Sequence, residues 1–124
     1  MKKILIVEDD FASQMMLEII IETYCKFPIV ARNGMDAVSL CKENPDINIV
    51  LMDIRMTELN GYDATKKIRE FNKNMIIIAQ TSLGLPEDRE KAITSGCNDY
   101  ISKPYSQSDL TEMLKKWTKD IEVL

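Results

Sequence analysis

The sequence contains no histidine, and this absence removes several kinds of chemistry from consideration. Serine–histidine triads, histidine-ligated metal sites and imidazole acid–base catalysis all need that side chain. Any chemistry that the chain performs must therefore use carboxylates, lysine, hydroxyl groups or a metal ion bound by oxygen.

Cysteine is scarce, and no long apolar segment is present. The three cysteines, Cys25, Cys41 and Cys97, are odd in number and widely spaced, without a C-x-x-C pair. This usage predicts reduced, mostly buried thiols in a cytoplasmic protein rather than a disulfide framework. The first apolar run, Ile4–Val7, is interrupted at Glu8, which makes it too short for an export signal or a membrane span.

Positive charge is not in excess either, since the net charge is −4 and the pI is about 4.9. An acidic domain is a poor electrostatic match for nucleic-acid phosphates, so direct nucleic-acid binding is not expected. The 124 residues are 45% hydrophobic and 29% charged, which argues against disorder, fibres and disulfide miniproteins. We expect residues 1–124 to form one domain with a core of its own.

Five short apolar runs alternate with segments of helical periodicity. The predicted strands are Ile4–Val7, Phe27–Ala31, Asn48–Asp53, Met75–Ala79 and Asp99–Ser102. A strand buried on both faces is continuously apolar, as the third run is until it ends at a carboxylate.

The intervening segments predict five helices. The first spans about 11–24 and is marked by Phe11, Met15, Met16, Ile19, Ile20, Thr23 and Tyr24. The second is marked by Ala37, Val38 and Cys41, and the third by Tyr62, Ala64, Ile68 and Phe71. The fourth spans 87–95 with Pro86 in its first turn and Gly96 as its stop. The last is capped at Ser108 or nearby, with the stripe Leu110, Met113, Leu114, Trp117 and Ile121.

Such alternation with short connections is typical of βα units and predicts an α/β fold. We expect a three-layer sandwich in which helices cover both faces of a parallel sheet. Five strands in about 124 residues favour the flavodoxin-like (βα)5 order 2-1-3-4-5 over a closed barrel.

Polar residues follow four of these strands at the point where each one ends. Glu8 and Asp9 follow the first strand, Asp53 ends the third, Thr81 follows the fourth, and Lys103 follows the fifth. In the 2-1-3-4-5 order the first and third strands are neighbours, so three carboxylates converge at one edge of the sheet. Close like charges are costly without a cation, and oxygen ligands favour Mg²⁺, with Mn²⁺ as a substitute.

An Asp beside such a metal ion can attack a phosphoryl group and form an aspartyl phosphate. Lys103 could then neutralise one phosphoryl oxygen, and Thr81 could donate a hydrogen bond to another. Each residue alone has a simpler interpretation: Asp53 as the start of a turn, Asp10 as a helix cap, Lys103 as a surface lysine, Tyr100 as packing. Their joint occurrence at successive strand ends favours the phosphoryl-transfer interpretation.

At this point the sequence resembles the receiver domain of two-component response regulators, over essentially its whole length. The style is closest to receivers of hybrid sensor kinases and their stand-alone relatives. The matching stretches are Ile4–Asp10, Leu51–Met56, Asn60–Ala64, Ile77–Ser82 and Gly96–Pro104.

The resemblance implies a phosphorelay role in which Asp53 accepts a phosphoryl group from a phosphohistidine on a partner. Glu8, Asp9 and Asp53 would bind Mg²⁺, with the backbone carbonyl of Arg55 as a further ligand. Lys103 and Thr81 would contact the phosphoryl group. Thr81 and Tyr100 would form a switch pair that repacks the surface made by helix four, strand five and helix five.

Some positions depart from the family pattern. Thr57 stands where proline is usual after Met56, and Ser82 replaces a common alanine. Arg55 and Leu83 occupy positions where the family tunes phosphoryl lifetime. We hypothesise that Arg55 shields the aspartyl phosphate from water, in which case Arg55→Ala changes the dephosphorylation rate.

Because the chain has no histidine, the phosphoryl group must come from another protein, another domain or a small phosphodonor. The resemblance implies that a protein donor is a histidine kinase or a histidine phosphotransfer protein. The resemblance implies a regulatory domain rather than a conventional enzyme, with output through protein contact. It could act alone or beside an output domain, and homodimerisation through the helix-four to helix-five surface is possible.

Three alternatives stay open at this point. A haloacid-dehalogenase-like phosphatase would need a second Asp where Arg55 stands. A flavodoxin-like nucleotide carrier would need a phosphate-binding loop where the sequence has Glu8-Asp9-Asp10. A receiver-like docking module without phosphorylation is disfavoured by the intact set of acids, Thr81 and Lys103.

Overall fold

The computed structural model describes residues 2–56, 58–82 and 85–118, in which five strands alternate with five helices. The strands are β1 (Ile4–Val7), β2 (Ile29–Ala31), β3 (Ile49–Asp53), β4 (Ile76–Thr81) and β5 (Asp99–Ser102). The helices are α1 (Phe11–Ile20), α2 (Gly34–Glu43), α3 (Gly61–Arg69), α4 (Pro86–Ser95) and α5 (Gln107–Thr118).

All neighbouring strands pair in parallel, in the order β2-β1-β3-β4-β5. This confirms the predicted flavodoxin-like arrangement. The register pairs Val7 of β1 with Met52 of β3, and Thr81 of β4 with Ser102 of β5. The carboxyl ends of β1, β3, β4 and β5 therefore meet at one edge of the sheet.

Helices cover both faces of the sheet, which explains why its central strands are apolar at nearly every position. On one face, Leu5, Val50 and Ile77 belong to a buried cluster completed by α2, α3 and α4. On the other face, Ile6 and Leu51 belong to a second cluster, to which α1 and α5 contribute Leu17, Ile20, Leu110 and Leu114. A strand with one face in solvent alternates apolar and polar residues, whereas a strand that is buried on both faces is apolar throughout.

Side-chain caps begin the first three helices. Asp10, Asn33 and Asn60 each accept a hydrogen bond from a backbone N–H in the first turn of the helix that follows. Such a cap stabilises a helix by about 1 kcal/mol. Asp10 therefore has the simpler of its two predicted roles. Gly96 ends α4 with a φ of 113°, a conformation that favours glycine, as predicted.

The first helix and the second strand are shorter than predicted. α1 ends at Ile20 rather than near residue 24, and the next four residues form turns. Three consecutive β-branched isoleucines, Ile19 to Ile21, are poor helix formers, and turning there buries Ile21 completely. β2 begins at Ile29 because Pro28 has no N–H to donate and the Phe27 side chain is 88% exposed.

Three further boundaries differ from prediction. α3 ends at Arg69, so Phe71 lies beyond it and is partly exposed. β4 is shifted towards the candidate site and includes Thr81. Ser106, rather than Ser108, caps α5: its hydroxyl accepts from the Asp109 N–H, and its own N–H donates to the Asp109 carboxylate. The reciprocal pair satisfies two backbone groups and outcompetes a cap at Ser108. Ile121 of the predicted stripe lies outside the described residues.

The outer face of α1 is apolar and exposed, although the same residues indicated the helix by their spacing. Phe11 is 58% exposed, Met15 48%, Met16 59% and Ile19 71%. Only Leu17 and Ile20 of this helix are buried against the sheet. Helical periodicity predicted the element correctly but could not show that part of its apolar surface has no cover.

The three cysteines are free and buried, as predicted. No helix in the described part of the chain has the length and apolar character needed to cross a membrane.

Candidate functional site

The ends of β1 and β3 bring three carboxylates together. Glu8 and Asp53 are 2% and 6% exposed, whereas Asp9 is exposed. One carboxylate oxygen of each lies within 4.8 Å of the others. The sheet register produces this arrangement: Val7 pairs with Met52, so the next residues, Glu8 and Asp53, lie side by side at the ends of neighbouring strands. The sequence-based prediction that these acids converge is thus met in the structure.

Lys103 reaches into the same cluster from the end of β5. Its Nζ lies 3.1 Å from Glu8 Oε1 and 3.9 Å from Asp53 Oδ2, and its side chain is 26% exposed. Its backbone N–H donates to the Thr81 carbonyl at 2.6 Å, and the following Lys103–Pro104 peptide is cis. The side chain is therefore aimed at the carboxylates and is not an ordinary surface lysine.

The cluster carries more negative charge than Lys103 neutralises. Burial, followed by the Glu8 charge, raises the pKa of Asp53 to about 7, although Lys103 acts in the opposite direction. Three carboxylates beside one ammonium leave two negative charges when all are ionised. A small divalent cation with oxygen ligands fits this donor set in both charge and chemistry.

Gly61, at the start of α3, allows close packing behind the acidic cluster. A Cβ at this position would collide with the Asp53 carbonyl oxygen and with the side chain and Cα of Ile54. The Gly61 N–H also donates to the Ile54 carbonyl at 3.1 Å. The loop after β3 therefore closes tightly only because this residue has no side chain.

Arg55 contributes its main chain rather than its side chain to this arrangement. Its N–H donates to Asp53 Oδ1 at 3.2 Å, and its side chain is exposed. That hydrogen bond favours the ionised form of Asp53 and orients the carboxylate. Two other positions singled out from the sequence, Thr57 and Leu83, lie outside the described residues.

Thr81 ends β4 at the same edge, and its side chain is directed to α4. Its hydroxyl donates to Asp88 Oδ2 at 3.4 Å, and both residues are buried. The same Asp88 oxygen accepts the N–H of Leu85 at 3.0 Å. The sequence analysis did not single out Asp88. With Leu85 as the N-cap, Asp88 is the third residue of α4, a position at which an acidic side chain commonly caps the helix, and this position could have indicated it.

Tyr100 lies on β5 next to α4 and is half-buried. The guanidinium of Arg89 lies 5.9 Å from the centre of its ring, and Arg89 also reaches Asp99 Oδ1 at 3.7 Å. Asp99 is buried and accepts from Lys116 Nζ at 2.9 Å and Trp117 Nε1 at 3.0 Å. Asp99 thereby links α4 and α5 across β5.

A buried polar pair on the face of the sheet that α1 and α5 cover was also missed. Gln80 is completely buried on β4, in register with Asp53, and its Oε1 accepts from the Tyr105 hydroxyl at 2.6 Å. Among the described residues, Gln80 Nε2 is a buried side-chain donor with no hydrogen-bond partner. A lone glutamine at the end of an apolar strand carries no sequence signal for such a pair.

Comparison with known proteins bears on this site. Residues 4–115 match the family model of the response regulator receiver domain. The chemotaxis protein CheY of Thermotoga maritima is 40% identical over 121 residues, which cover 95% of this chain and 98% of that protein.

Two solved structures share both the fold and part of the sequence. The receiver domain of Saccharomyces cerevisiae Ssk1, crystallised with the histidine phosphotransfer protein Ypd1, has a TM-score of 0.90 and 30% identity, and the match covers 99% of this chain and 92% of that one. A sensor histidine kinase receiver domain from Pseudomonas aeruginosa PAO1, with a magnesium ion coordinated in its active-site cleft, has a TM-score of 0.84 and 32% identity, over 95% of this chain and 98% of that one. The chain belongs to the response regulator receiver domain family of two-component signal transduction.

Proposed function

We propose that residues 1–124 act as one receiver domain that is phosphorylated on Asp53. The observation that carries this proposal is the position of Asp53, buried at the sheet edge within 4.8 Å of Glu8 and Asp9 oxygens and 3.9 Å from Lys103 Nζ. A geometry of this kind is what phosphoryl transfer requires, because its catalysis consists almost entirely of positioning and charge stabilisation.

In the proposed reaction, an Asp53 carboxylate oxygen attacks the phosphorus of a phosphohistidine on a partner protein. The P–N bond breaks, its electron pair stays on the departing imidazole nitrogen, and a P–O bond to Asp53 forms. Lys103 neutralises charge on one phosphoryl oxygen, and the Thr81 hydroxyl donates to another. The domain assists its own phosphorylation and dephosphorylation and is not a separate enzyme.

Glu8, Asp9 and Asp53 would hold a Mg²⁺ ion, with the Arg55 backbone carbonyl as a further ligand. The Arg55 N–H donates to Asp53 Oδ1, which keeps the Arg55 main chain beside the carboxylates. When bound, the ion supplies positive charge to the phosphoryl oxygens. Mn²⁺ prefers the same oxygen ligands and is proposed as a substitute.

The decisive experiment is the intact mass of the protein after incubation with acetyl phosphate and Mg²⁺. One phosphoryl adduct is expected for the wild type, none for Asp53→Asn, and none after chelation of the metal. Asp46→Asn is the matched control, because Asp46 is an exposed aspartate that pairs with Lys3 instead. Its adduct yield should equal that of the wild type.

Two negative results would have different meanings. A folded wild type that binds Mg²⁺ but gives no adduct indicates a site that needs a phosphorylated protein as donor. A folded wild type that neither binds Mg²⁺ nor forms an adduct contradicts the proposal and favours a docking module that is not phosphorylated.

The donor protein is proposed to dock on the exposed apolar face of α1, formed by Phe11, Met15, Met16 and Ile19. This helix begins directly after Asp9 and Asp10, so its face borders the acidic cluster. A histidine phosphotransfer protein or histidine kinase seated there would bring its histidine to Asp53. The related Ssk1 receiver was crystallised with the histidine phosphotransfer protein Ypd1, which supports a phosphotransfer protein as the occupant of this face.

Ile19→Ser tests this surface. Transfer from a phosphorylated phosphotransfer protein should fall by about tenfold, as expected when an interface loses one apolar contact. The rate with acetyl phosphate should not change, because α1's outer face does not contact the carboxylates. Phe27→Ser is the control: Phe27 is an exposed apolar residue, 88% exposed, that lies in the loop before β2 rather than on α1. Equal loss in both variants would contradict the docking proposal.

Output is proposed to pass through the surface made by α4, β5 and α5, by contact with another protein or a second copy of this chain. Arg89 of α4 contacts Tyr100 and Asp99 of β5, and Asp99 accepts from Lys116 of α5, so these contacts connect the three elements of this surface. Inward movement of Tyr100 would remove its ring from Arg89 and alter the surface. Measuring the molar mass of the protein in solution, with and without phosphorylation, tests whether two copies of the chain associate through this surface.

A further inference from the structure

We infer that Asp88 is a positioning residue that holds the Thr81 hydroxyl towards α4 and so opposes phosphorylation of Asp53. This inference rests on the proposed function, in which that hydroxyl donates to the phosphoryl group. It adds a residue outside the acidic cluster that competes with the phosphoryl group for the same donor.

The contact itself is a hydroxyl donating to a buried carboxylate. Thr81 is 4% exposed and Asp88 7% exposed, and Thr81 Oγ1 lies 3.4 Å from Asp88 Oδ2. A hydroxyl proton can be donated in one direction at a time. Donation to a phosphoryl oxygen on Asp53 therefore requires that the hydrogen bond to Asp88 be given up.

The acceptor is held in place by a second hydrogen bond. Asp88 Oδ2 also accepts the Leu85 N–H at 3.0 Å, and this bond closes the first turn of α4. Asp88 could follow a departing Thr81 only by uncapping the helix, which costs about 1 kcal/mol. The Thr81 hydroxyl must therefore leave Asp88, rather than take Asp88 with it, to reach a phosphoryl group on Asp53.

The two acceptors therefore set a population balance. With Asp53 unphosphorylated, the Asp88 carboxylate stabilises the arrangement in which Thr81 is directed away from the acidic cluster. A phosphoryl group, with more negative charge and three oxygens, offers the stronger acceptor and shifts the balance. Removal of the Asp88 carboxylate should remove the acceptor that competes with the phosphoryl group for this hydroxyl.

The test is a double-mutant cycle between Asp88→Ala and Thr81→Val, measured as the rate of adduct formation with acetyl phosphate and Mg²⁺. Asp88→Ala alone should react about three- to tenfold faster than the wild type, the effect expected of one hydrogen bond to a charged group at a long distance. In the Thr81→Val background, which lacks the hydroxyl, Asp88→Ala should have no effect. Equal acceleration in both backgrounds, or none in either, would overturn the inference.

The cycle separates the inference from two other effects of removing a carboxylate. Relief of general charge repulsion at the site would persist without the Thr81 hydroxyl, and so would any effect of a weakened α4. Asp109→Ala is the matched control, because Asp109 occupies the same capping position in α5, with Ser106, and does not contact Thr81. It should leave the rate unchanged.

Asp88→Asn provides a second variant that keeps an acceptor for the Leu85 N–H. Its neutral oxygen is a weaker acceptor for Thr81, so a smaller acceleration than that of Asp88→Ala is expected. If Asp88→Ala does not fold, the cycle is run with Asp88→Asn and the same criterion. A folded wild type that neither binds Mg²⁺ nor forms an adduct contradicts the proposed function instead, and one that binds Mg²⁺ without reacting is tested with a phosphorylated donor protein. A wild type that reacts at the same rate as both Asp88 variants contradicts only this inference.

Discussion

The two halves of the site are built in different ways. On the acidic side, Glu8, Asp53 and Lys103 directly follow or end strands, and the register of the sheet alone brings them together. On the switch side, Thr81 and Tyr100 are held by residues of α4, namely Asp88 and Arg89. The acidic side is assembled before any phosphoryl group arrives, whereas the switch side is restrained in another arrangement. In the proposed function, the first set of contacts serves the chemistry, and the second set must be displaced for signalling.

The largest effect expected on the acidic side is a dependence of stability on pH without metal. The pKa of Asp53 is raised to about 7 in the folded protein, against about 3.8 when unfolded. Between these values the folded state retains a proton that the unfolded state has lost, so the free energy of unfolding falls as pH rises from about 4 to 7. The fall attributable to Asp53 is at most about 4 kcal/mol.

Urea unfolding in the presence of a chelator, at pH 5 and pH 8, checks this prediction. Asp53→Asn has no proton to lose at this position, so its stability should decline less with pH than that of the wild type. Added Mg²⁺ should restore stability to the wild type at pH 8. If the stabilities of the two proteins changed with pH in the same way, the pKa of Asp53 would not be raised in the folded protein, and the prediction would be wrong.

Loss of the Lys103 charge should slow the reaction by about 100-fold, the usual cost of removing one group that stabilises transferring charge. Lys103→Gln is compared with Lys116→Gln, which breaks the ion pair to Asp99 on the switch side. Initial rates of adduct formation with acetyl phosphate give the measurement. If both variants reacted equally slowly, the acidic side and the switch side of the site would contribute equally to the reaction, which would contradict the comparison.

Asp99→Asn should lower stability rather than reactivity. Burial opposes ionisation of Asp99, but hydrogen bonds from Lys116 and Trp117 more than offset it, so that its pKa lies below its usual value. Replacement by a neutral amide weakens these bonds, and we expect a loss of about 2 kcal/mol in the free energy of unfolding at pH 7. Urea unfolding followed through the single tryptophan, Trp117, provides the measurement, and an unchanged midpoint would refute the prediction.

The smallest effect is expected at the buried pair formed by Tyr105 and Gln80. Tyr105→Phe removes the donor to Gln80 Oε1 and leaves that amide without a described partner, at a cost of about 1 kcal/mol. Adding Gln80→Leu should recover most of this loss, because replacing both partners by apolar groups of similar shape is nearly neutral. Thermal unfolding of the single and double variants measures this recovery. A double variant less stable than Tyr105→Phe would mean that Gln80 has another role.

Sequence reasoning succeeded where a feature depends on backbone pattern. Alternating apolar runs predicted the parallel sheet and its order, and strand ends predicted the meeting of Glu8, Asp9, Asp53 and Lys103. It failed where competing local interactions decide an outcome, as at the end of α1 and at the Ser106 cap of α5. Both outcomes depend on free-energy differences of about 1 kcal/mol, which pattern alone does not resolve.

The amino-acid sequence by itself determined the fold, the edge of the sheet at which the acids lie, and the family. These follow because a parallel sheet carries every strand end to the same edge, whatever the helices around it do in detail. Only the tertiary structure decided that the apolar face of α1 is exposed, that Asp88 accepts from Thr81, and that Tyr105 reaches Gln80. Periodicity shows which residues share a face, but which surface covers that face, and which side chains meet across the core, depends on how the separate elements pack.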